Sequence, residues 1–370
     1  MPRQKHRQVG LTFLLVMTAA CQAAPSGPVD ARTPNPPGAD EVTAAPRPTS
    51  TAVRTPPTLP GPFQSRYLDP LDSVHTYMDD TCAYLRNRWN PSKSAPGTVV
   101  MIIMIHSIIR SKVGGPEALT SQLHTRMMED LHEQRFHAIN MQQLADFLED
   151  NARIPYRSVV LIQDQNRYPE NFNTHFRRYW ETWGWPVVNA WDQQGSISEP
   201  LWEAYEALSE EGLVDFQVFG PTFDPATRSL TDEYLTAQLQ KPIEVFQERF
   251  DKRPVGVIWP NGFSAQSVRI ARKLGYRLGF TFNSRGPVMY NWVPLSDAID
   301  NLRPSFRPES PVGDPLMTLP RFRPQEVHAA LDSVRISGEK AAAYAEEHKG
   351  TELEYYDIMC AAEYGSIPAE

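Results

Sequence analysis

The sequence lacks several features that would assign a function directly. No strand-like segment is followed by a glycine-rich loop of the kind that cradles phosphates, which argues against a nucleotide-binding sheet. The apolar run Val9–Ala20 is too short for a permanent membrane-spanning helix. Acidic residues outnumber basic ones, with a formal net charge of −8, so we expect no binding to nucleic acid or to anionic headgroups.

The sequence has few cysteines, and it lacks the closely spaced histidines that a metal site usually needs. Besides Cys21, only Cys82 and Cys360 are present. Outside the cell they would form one bridge between the two ends of the domain, and otherwise they are two buried thiols; the sequence leaves both possibilities open. No His-x-x-x-His pair occurs, and no histidine lies between His175 and His328, which removes the usual imidazole ligands of a zinc site.

The N-terminus has the pattern of an export signal. Residues 1–20 begin with three basic side chains and continue with the apolar run, which is typical of a signal peptide. Small residues then lead to Cys21, as in a lipoprotein. We therefore expect lipid on Cys21 and attachment to the outer face of a bacterial membrane. An ordinary signal peptide, cleaved near Ala24 with an incidental cysteine, is the alternative.

Composition divides the chain into four regions. After the signal at 1–20, residues 21–62 are rich in Pro, Ala and Thr and have almost no large apolar side chains, which predicts a disordered tether. Residues 63–335 are enough for one large α/β domain with a sizeable core. Residues 336–370 are expected to form a C-terminal helix and a polar tail.

From Thr98 onward, short β-branched runs alternate with helical stretches. Strands are expected at 98–106, 158–164, 186–190, 214–219, 255–259 and 277–282. The alternation predicts a parallel sheet covered by helices, as a barrel or as an open doubly wound sheet. Residues 287–324, rich in Pro and Arg, are expected to form a long loop before a helix at about 325–348.

The segments Leu161–Asn166, Val218–Pro225 and Trp259–Gly262 lie at expected strand ends, and Leu319–Phe322 follows later in the chain. In order and spacing these segments resemble the polysaccharide deacetylase family (NodB-homology domains, carbohydrate esterase 4-like), and Met104–Ser107 is similar to the family's opening strand. The resemblance covers about residues 98–322. It implies a distorted (β/α)7-type barrel.

The resemblance also assigns roles to individual positions. The family's general base corresponds to Asp164, and its neighbouring metal-ligand aspartate corresponds to Gln165. The two histidines that complete the metal site correspond to Phe219 and Phe223. A neutral amide and two phenyl rings cannot replace a carboxylate and two imidazoles. We therefore expect no metal or other cofactor and no metal-dependent deacetylation.

The remaining residues at the expected strand ends suggest a ligand site in a barrel of this type. We expect His106, Trp259, Asn261 and Arg321 to contact an envelope polysaccharide or other glycan beside Asp164. Each also has a structural interpretation: Asp164 as a turn cap, His106 as a core histidine and Trp259 as barrel packing.

Three functions are compatible with these observations. The first is an exported, lipid-anchored, deacetylase-like protein that binds or helps process an envelope glycan without metal-dependent catalysis. The second is a hydrolase of carbon–nitrogen bonds in carbohydrate, with an altered site and Asp164 as the base. The third is an envelope scaffold that binds a protein partner through its outer helices.

Overall fold

The computed structural model describes residues 54–110, 118–192, 197–221, 230–260 and 262–369. The predicted signal, the Cys21 lipidation site and most of the predicted tether lie outside the described residues, as do Phe223 and Asn261. Within these ranges, no helix is both long enough and apolar enough to cross a membrane.

The strands are short and mostly buried. In chain order they are β1 (Asp72–His75), β2 (Val99–Ile105), β3 (Ser107–Ile109), β4 (Ala118–Thr120), β5 (His137–Ala138), β6 (Arg157–Asp164), β7 (Val187–Trp191), β8 (Val214–Phe219), β9 (Gly256–Ile258), β10 (Leu278–Phe280) and β11 (Val293–Ser296).

Helices alternate with these strands and one long helix follows them. They are α1 (Thr81–Trp89), α2 (Ser121–Glu133), α3 (Met141–Asp150), α4 (Pro169–His175), α5 (Arg177–Trp183), α6 (Glu199–Glu210), α7 (Asp232–Phe250), α8 (Ala265–Lys273), α9 (Pro324–Met359) and α10 (Ala361–Tyr364). Two short 3₁₀ helices lie at Ser310–Val312 and Pro315–Met317.

The main sheet is parallel and has the order β10-β9-β8-β7-β6-β2, with β5 paired beside β6. Every residue of β2 is buried. Its uninterrupted apolar run is what a strand covered on both faces requires. The predicted parallel sheet covered by helices is confirmed.

The segment Leu319–Phe322 closes the gap between the two ends of this sheet. Leu319 bridges to Phe280 of β10 and Phe322 bridges to Ile103 of β2, both in the parallel sense. The main-chain N–H of Leu319 donates to Gly279 O (2.8 Å), and that of Phe322 donates to Ile102 O (2.7 Å). Together with the six strands of the main order β10-β9-β8-β7-β6-β2, this segment makes seven positions around a distorted barrel, so the predicted (β/α)7-type fold is confirmed.

The predicted loop at 287–324 is more ordered than its composition indicates. It contains β11, which pairs antiparallel with β1, the two 3₁₀ helices and the closing segment. Residues 169–183 form two helices, α4 and α5, which are divided at Phe176, where φ is −116°. Composition missed the strands of this loop because each depends on a partner distant in sequence.

The boundary expected at 335/336, between the α/β domain and the C-terminal region, falls inside α9. This helix runs without interruption to Met359 and packs against β2. Gly97 has a φ of +85°, and a Cβ there would overlap Gly338 of α9. The close approach of the two backbones therefore requires glycine at this position. The C-terminal helix is part of the barrel domain rather than an appendage.

Both ends of the described chain are held against the domain. The Tyr344 hydroxyl donates to Gly61 O (2.9 Å), and Trp292 Nε1 donates to Phe63 O (2.8 Å), so the last residues of the predicted tether pack on the barrel. Cys82 of α1 forms a disulfide with Cys360 at the end of α9. Of the two possibilities for these cysteines, the structure has the bridge.

A buried histidine on α2 predicts a loss of stability in mild acid. His124 is buried against Phe176 and Tyr179. Burial lowers the pKa of His124 to about 3, with smaller contributions from His175 and Arg178. Between pH 6.5 and about 3 the unfolded chain binds a proton here and the folded chain does not. The free energy of unfolding should therefore fall by roughly 1.4 kcal/mol per pH unit as the pH drops.

Urea unfolding at several pH values measures this slope. His124→Phe keeps an aromatic ring against Phe176 and should make the slope between pH 6 and 4 shallower by roughly 1.4 kcal/mol per pH unit, whereas His137→Gln, at an exposed position, should keep it. An unchanged profile in His124→Phe would rule His124 out as its source.

Candidate functional site

Two strand ends bring the central polar side chains together. β6 ends at Asp164, and His106 directly follows β2. Because β2 and β6 are parallel neighbours, their carboxyl ends lie at the same end of the barrel. Gln163 joins the end of β6 to the end of β2, since its Nε2 donates to Ile105 O and to His106 O at 2.9 Å each.

Asp164, Arg321 and His106 form one cluster. Arg321 Nη1 donates to Asp164 Oδ1 (2.7 Å), and His106 Nδ1 lies 3.2 Å from Asp164 Oδ2. The carboxylate and the guanidinium are buried, whereas the His106 side chain is 36% exposed. The imidazole is therefore the member of the cluster that solvent reaches.

The charges of the cluster keep Asp164 ionised. Burial alone would raise the pKa of Asp164, but the Arg321 guanidinium and the His106 imidazole outweigh it and hold the pKa below its usual value. A carboxylate with a lowered pKa and a bound guanidinium is a weak proton acceptor at neutral pH. The arrangement suits a carboxylate that orients His106 better than one that takes a proton itself.

Arg321 reaches Asp164 because it lies on the segment that closes the barrel. Its main-chain N–H donates to Asn283 O (3.0 Å) and its Nε donates to Thr281 O (2.7 Å). The first bond holds the main chain of Arg321, and the second holds its guanidinium. Arg321 was expected to contact a ligand, but its buried guanidinium is committed to Asp164 and Thr281.

The residues at the expected metal-ligand positions do not fit a metal site. Gln165 has a left-handed backbone (φ 52°), and its Nε2 lies 3.4 Å from Asp192 Oδ2. Phe219 at the end of β8 is buried and has no lone pair to donate. Across the described ranges, no group of three or more His, Cys, Asp or Glu side chains is placed to hold a metal ion.

Trp259 lies in the barrel core. It is fully buried, and its Nε1 donates to Met317 O (2.8 Å). This placement contradicts the predicted sugar contact, because neither face of the ring is open to a ligand. Apolar packing is the stronger demand on a large indole at the end of a central strand.

Sequence analysis missed a second polar group at the same end of the barrel. Arg167 Nη2 donates to Asp192 Oδ2 (2.9 Å), and Tyr168 beside it is 70% exposed. Asn166 shapes this turn, since its side-chain oxygen accepts from the Tyr168 N–H (3.0 Å). All four residues closely follow β6 or β7, so the strand-end criterion that selected Asp164 would also have found them.

Fold and site together define a seven-position (β/α) barrel with a buried Asp–Arg pair and a partly exposed histidine at its carboxyl end. Comparison with protein family models and with curated proteins gives no match. Among solved structures, the chain is similar to the Streptococcus pyogenes deacetylase PplD in complex with acetate. The TM-score is 0.49 at 14% identity, over 65% of this chain and 99% of that one.

Two further solved structures are similar to this chain. IcaB from Ammonifex degensii has a TM-score of 0.48 at 14% identity, over 66% of this chain and 98% of that one. A polysaccharide deacetylase from Bacillus cereus has a TM-score of 0.46 at 12% identity, over 64% of this chain and 69% of that one. At identities this low, we transfer no residue's role from these proteins.

Proposed function

We propose that this chain is an exported, lipid-anchored protein whose barrel binds a carbohydrate of the bacterial envelope and does not carry out metal-dependent deacetylation. The observation that carries the proposal is the buried contact of 2.7 Å between Arg321 Nη1 and Asp164 Oδ1, which favours an ionised carboxylate. At two positions where the family resemblance implies metal ligands, Gln165 and Phe219 offer a neutral amide and a phenyl ring in place of a carboxylate and an imidazole. Metal-dependent hydrolysis needs ligands that hold the ion and a base that accepts a proton from its water.

Export is supported by two independent features. The signal-like N-terminus and Cys21 lie next to a Pro-rich segment that suits a tether. The Cys82–Cys360 disulfide is a bond that persists in the oxidising environment outside the cytoplasm. A tethered barrel would work among the polysaccharides of the envelope.

The carboxyl end of the barrel offers groups suited to a sugar. Tyr168 presents an open aromatic ring, on which the C–H face of a sugar can stack. Arg167, whose side chain is 45% exposed, presents N–H donors to hydroxyl or carboxylate oxygens. His106 adds an imidazole that both donates and accepts. We infer that these three side chains contact the carbohydrate.

Tyr168→Ala should weaken carbohydrate binding three- to tenfold, since a stacked aromatic ring contributes roughly 0.5–1.5 kcal/mol. Calorimetric titration of the purified protein with soluble N-acetylated glucosamine oligomers measures the affinity. Tyr156→Ala is the matched control, because Tyr156 is also partly exposed but precedes β6, at the opposite end of the barrel. Equal loss in both variants would contradict a site at the carboxyl end.

The same preparation tests for the activity that we propose is missing. With zinc added, acetate released from the oligomers should not exceed that of a protein-free sample. Metal-stimulated release would overturn the proposed lack of deacetylation. A glycan array on which the protein retains no carbohydrate would overturn the binding function.

The contact between His106 and Asp164 favours one second function, a metal-independent hydrolase acting on carbohydrate. An imidazole oriented by a buried carboxylate is a common general base. In such a hydrolase His106 would accept the proton and Asp164 would be a positioning residue. The sequence had instead led us to expect Asp164 as the base.

His106→Gln should lower such a hydrolytic rate by roughly 10²- to 10⁴-fold while leaving substrate affinity within a few-fold. A pH–rate profile of the wild-type protein should show loss of rate as the imidazole becomes protonated. His137→Gln is a control for the loss of an exposed histidine elsewhere. A rate that does not change in His106→Gln would eliminate this second function.

A further inference from the structure

An open groove of about 950 Å3 lies at the amino-terminal end of the barrel. Its wall includes Thr98, which directly precedes β2, and Tyr156, which directly precedes β6. Residues of α9 and residues 367–369 also line it. The groove shares no residue with the carboxyl-end site around Asp164, and its volume is typical of protein sites that bind small molecules.

Basic side chains predominate among the charged residues of this groove. Four of these residues are cations and one is a carboxylate: Arg88, Lys93, Arg153, Lys349 and Glu346. The chain as a whole is acidic, with a formal net charge of −8, so the groove reverses the overall sign locally. A concave surface with an excess of one charge focuses its electric field and attracts ions of the opposite sign.

Two of these cations have no anionic partner in the protein. Across the described ranges, neither Lys93 nor Arg153 forms an ion pair or a side-chain hydrogen bond. Arg153 is exposed and Lys93 is half-buried, so a ligand in the groove can reach both. Like charges that gather at one surface repel one another, and a bound anion would remove that repulsion.

Ser94 holds the segments that carry these two cations side by side. Its hydroxyl donates to Ala152 O (2.8 Å) and accepts from the Ile154 N–H (3.0 Å), on the two residues that flank Arg153. Ser94 is buried and directly follows Lys93. The side chains of Lys93 and Arg153 therefore start from neighbouring, fixed points of the backbone.

A third available cation comes from α9. Lys349 Nζ lies 3.8 Å from Glu346 Oε2, but these two side chains are 36% and 74% exposed, so water weakens their attraction. Lys349 Nζ also lies 5.4 Å from the centre of the Trp89 ring. Arg88 differs from Lys349, because its Nε lies 2.9 Å from the buried carboxylate of Glu352. Arg88 is thus neutralised within the protein, whereas Lys349 is open to a ligand.

The placement of the three available cations indicates a ligand with several negative groups. Lys93 follows α1, Arg153 precedes β6 and Lys349 lies on α9, so each comes from a separate segment. A ligand with more than one carboxylate or phosphate can form a charge-assisted hydrogen bond with each of them. Ile154 and Leu353 also line the groove, and such apolar contacts suit an organic ligand better than an inorganic ion.

We propose that this groove binds an organic anion that carries two or more carboxylate or phosphate groups. Lys93, Arg153 and Lys349 pair with its charged groups, while the apolar part of the wall contacts its carbon skeleton. The site is independent of carbohydrate binding at the carboxyl end.

Calorimetric titration of the purified protein at low salt, with trigalacturonate and with fructose 1,6-bisphosphate, tests the proposal. We expect one equivalent to bind. Replacing two cations together, Lys93→Gln with Arg153→Gln, should weaken binding by roughly tenfold or more, because two charge-assisted contacts are lost. The unfolding temperature should not change.

The matched control removes the same amount of charge elsewhere. Lys340→Gln with Arg307→Gln changes two exposed cations that lie outside the groove. Because screening limits the effect of distant charges, affinity should stay within about twofold of the wild-type value. Raising the salt concentration should weaken binding to the wild-type protein.

Three outcomes would overturn the proposal. The first is no binding of either compound at concentrations up to about 1 mM. The second is an equal loss of affinity in the groove variant and in the control, which would mean that only overall charge attracts the anion. The third is a loss in Tyr168→Ala with none in the groove variant, which would place the anion at the carboxyl end. Binding of only one compound supports the site and shows whether it prefers carboxylate or phosphate.

Discussion

Replacing Arg285 with alanine is expected to lower the free energy of unfolding by about 3–5 kcal/mol. Arg285 Nη1 donates to Asp72 Oδ1 (2.7 Å), and its Nε lies 2.9 Å from Glu309 Oε1. All three side chains are fully buried. Removing the cation leaves two carboxylates in a site of low polarity, which is more costly than losing an exposed pair.

The other contacts in this cluster compensate only in part. Asp72 keeps Arg303, whose Nη2 lies 2.9 Å from Asp72 Oδ1. Glu309 keeps two neutral donors among the described residues, the side-chain amide of Asn283 and the main-chain N–H of Ser296. Most of the lost stability should therefore come from Glu309, whose contacts join residues 283–285 to β11.

Urea unfolding of the purified protein measures the effect of Arg285→Ala. The control is Arg269→Ala, because Arg269 also pairs with a carboxylate, Asp232, but both side chains are about half exposed. It should cost less than 1 kcal/mol. Similar small losses in both variants would contradict the burial of the Arg285 cluster, because they would mean that water reaches it.

Removing the disulfide with Cys82→Ala and Cys360→Ala together is expected to lower the free energy of unfolding by about 3–5 kcal/mol. The two residues are 278 apart in sequence, so the bridge constrains almost the whole domain. A cross-link that closes so long a loop removes much of the conformational freedom of the unfolded chain.

Reducing agent provides the internal control for this variant. Wild-type protein in dithiothreitol should show the same lowered stability as the double variant, and the variant should not respond to dithiothreitol. A wild-type protein that is equally stable with and without reductant would contradict a structural bridge. The result would also bear on export, since a bond needed for stability requires an oxidising compartment.

Much of the fold could be predicted because its strands are marked by local pattern. β2 is a continuous apolar run and β6 contains one, and helical stretches follow each of them later in the chain. The closing segment Leu319–Phe322 was expected only from family resemblance, since its few residues lie in a Pro-rich stretch. Its strand-like role depends on partners at Phe280 and Ile103, which no local pattern reveals.

Half of the candidate site followed from the same reasoning. His106 and Asp164 stand directly at strand ends, where parallel strands place functional groups. Trp259 also follows a strand, but it is buried in the barrel core. A residue at a strand end points either into the barrel or toward its mouth, and sequence position does not distinguish the two. Arg321 was expected to contact a ligand, and in the structure its guanidinium is the partner of Asp164.

The sequence by itself determined that Gln165 and Phe219 cannot act as a carboxylate and an imidazole, because ligand chemistry belongs to the side chain. It also determined the export signal pattern at residues 1–20 and the alternation that builds a parallel barrel. Only the tertiary structure decided that Asp164 is paired with Arg321 and faces His106, since these residues are up to 215 positions apart in the chain. The pairing of Cys82 with Cys360 was likewise decided by packing, because contact and burial are properties of the folded chain.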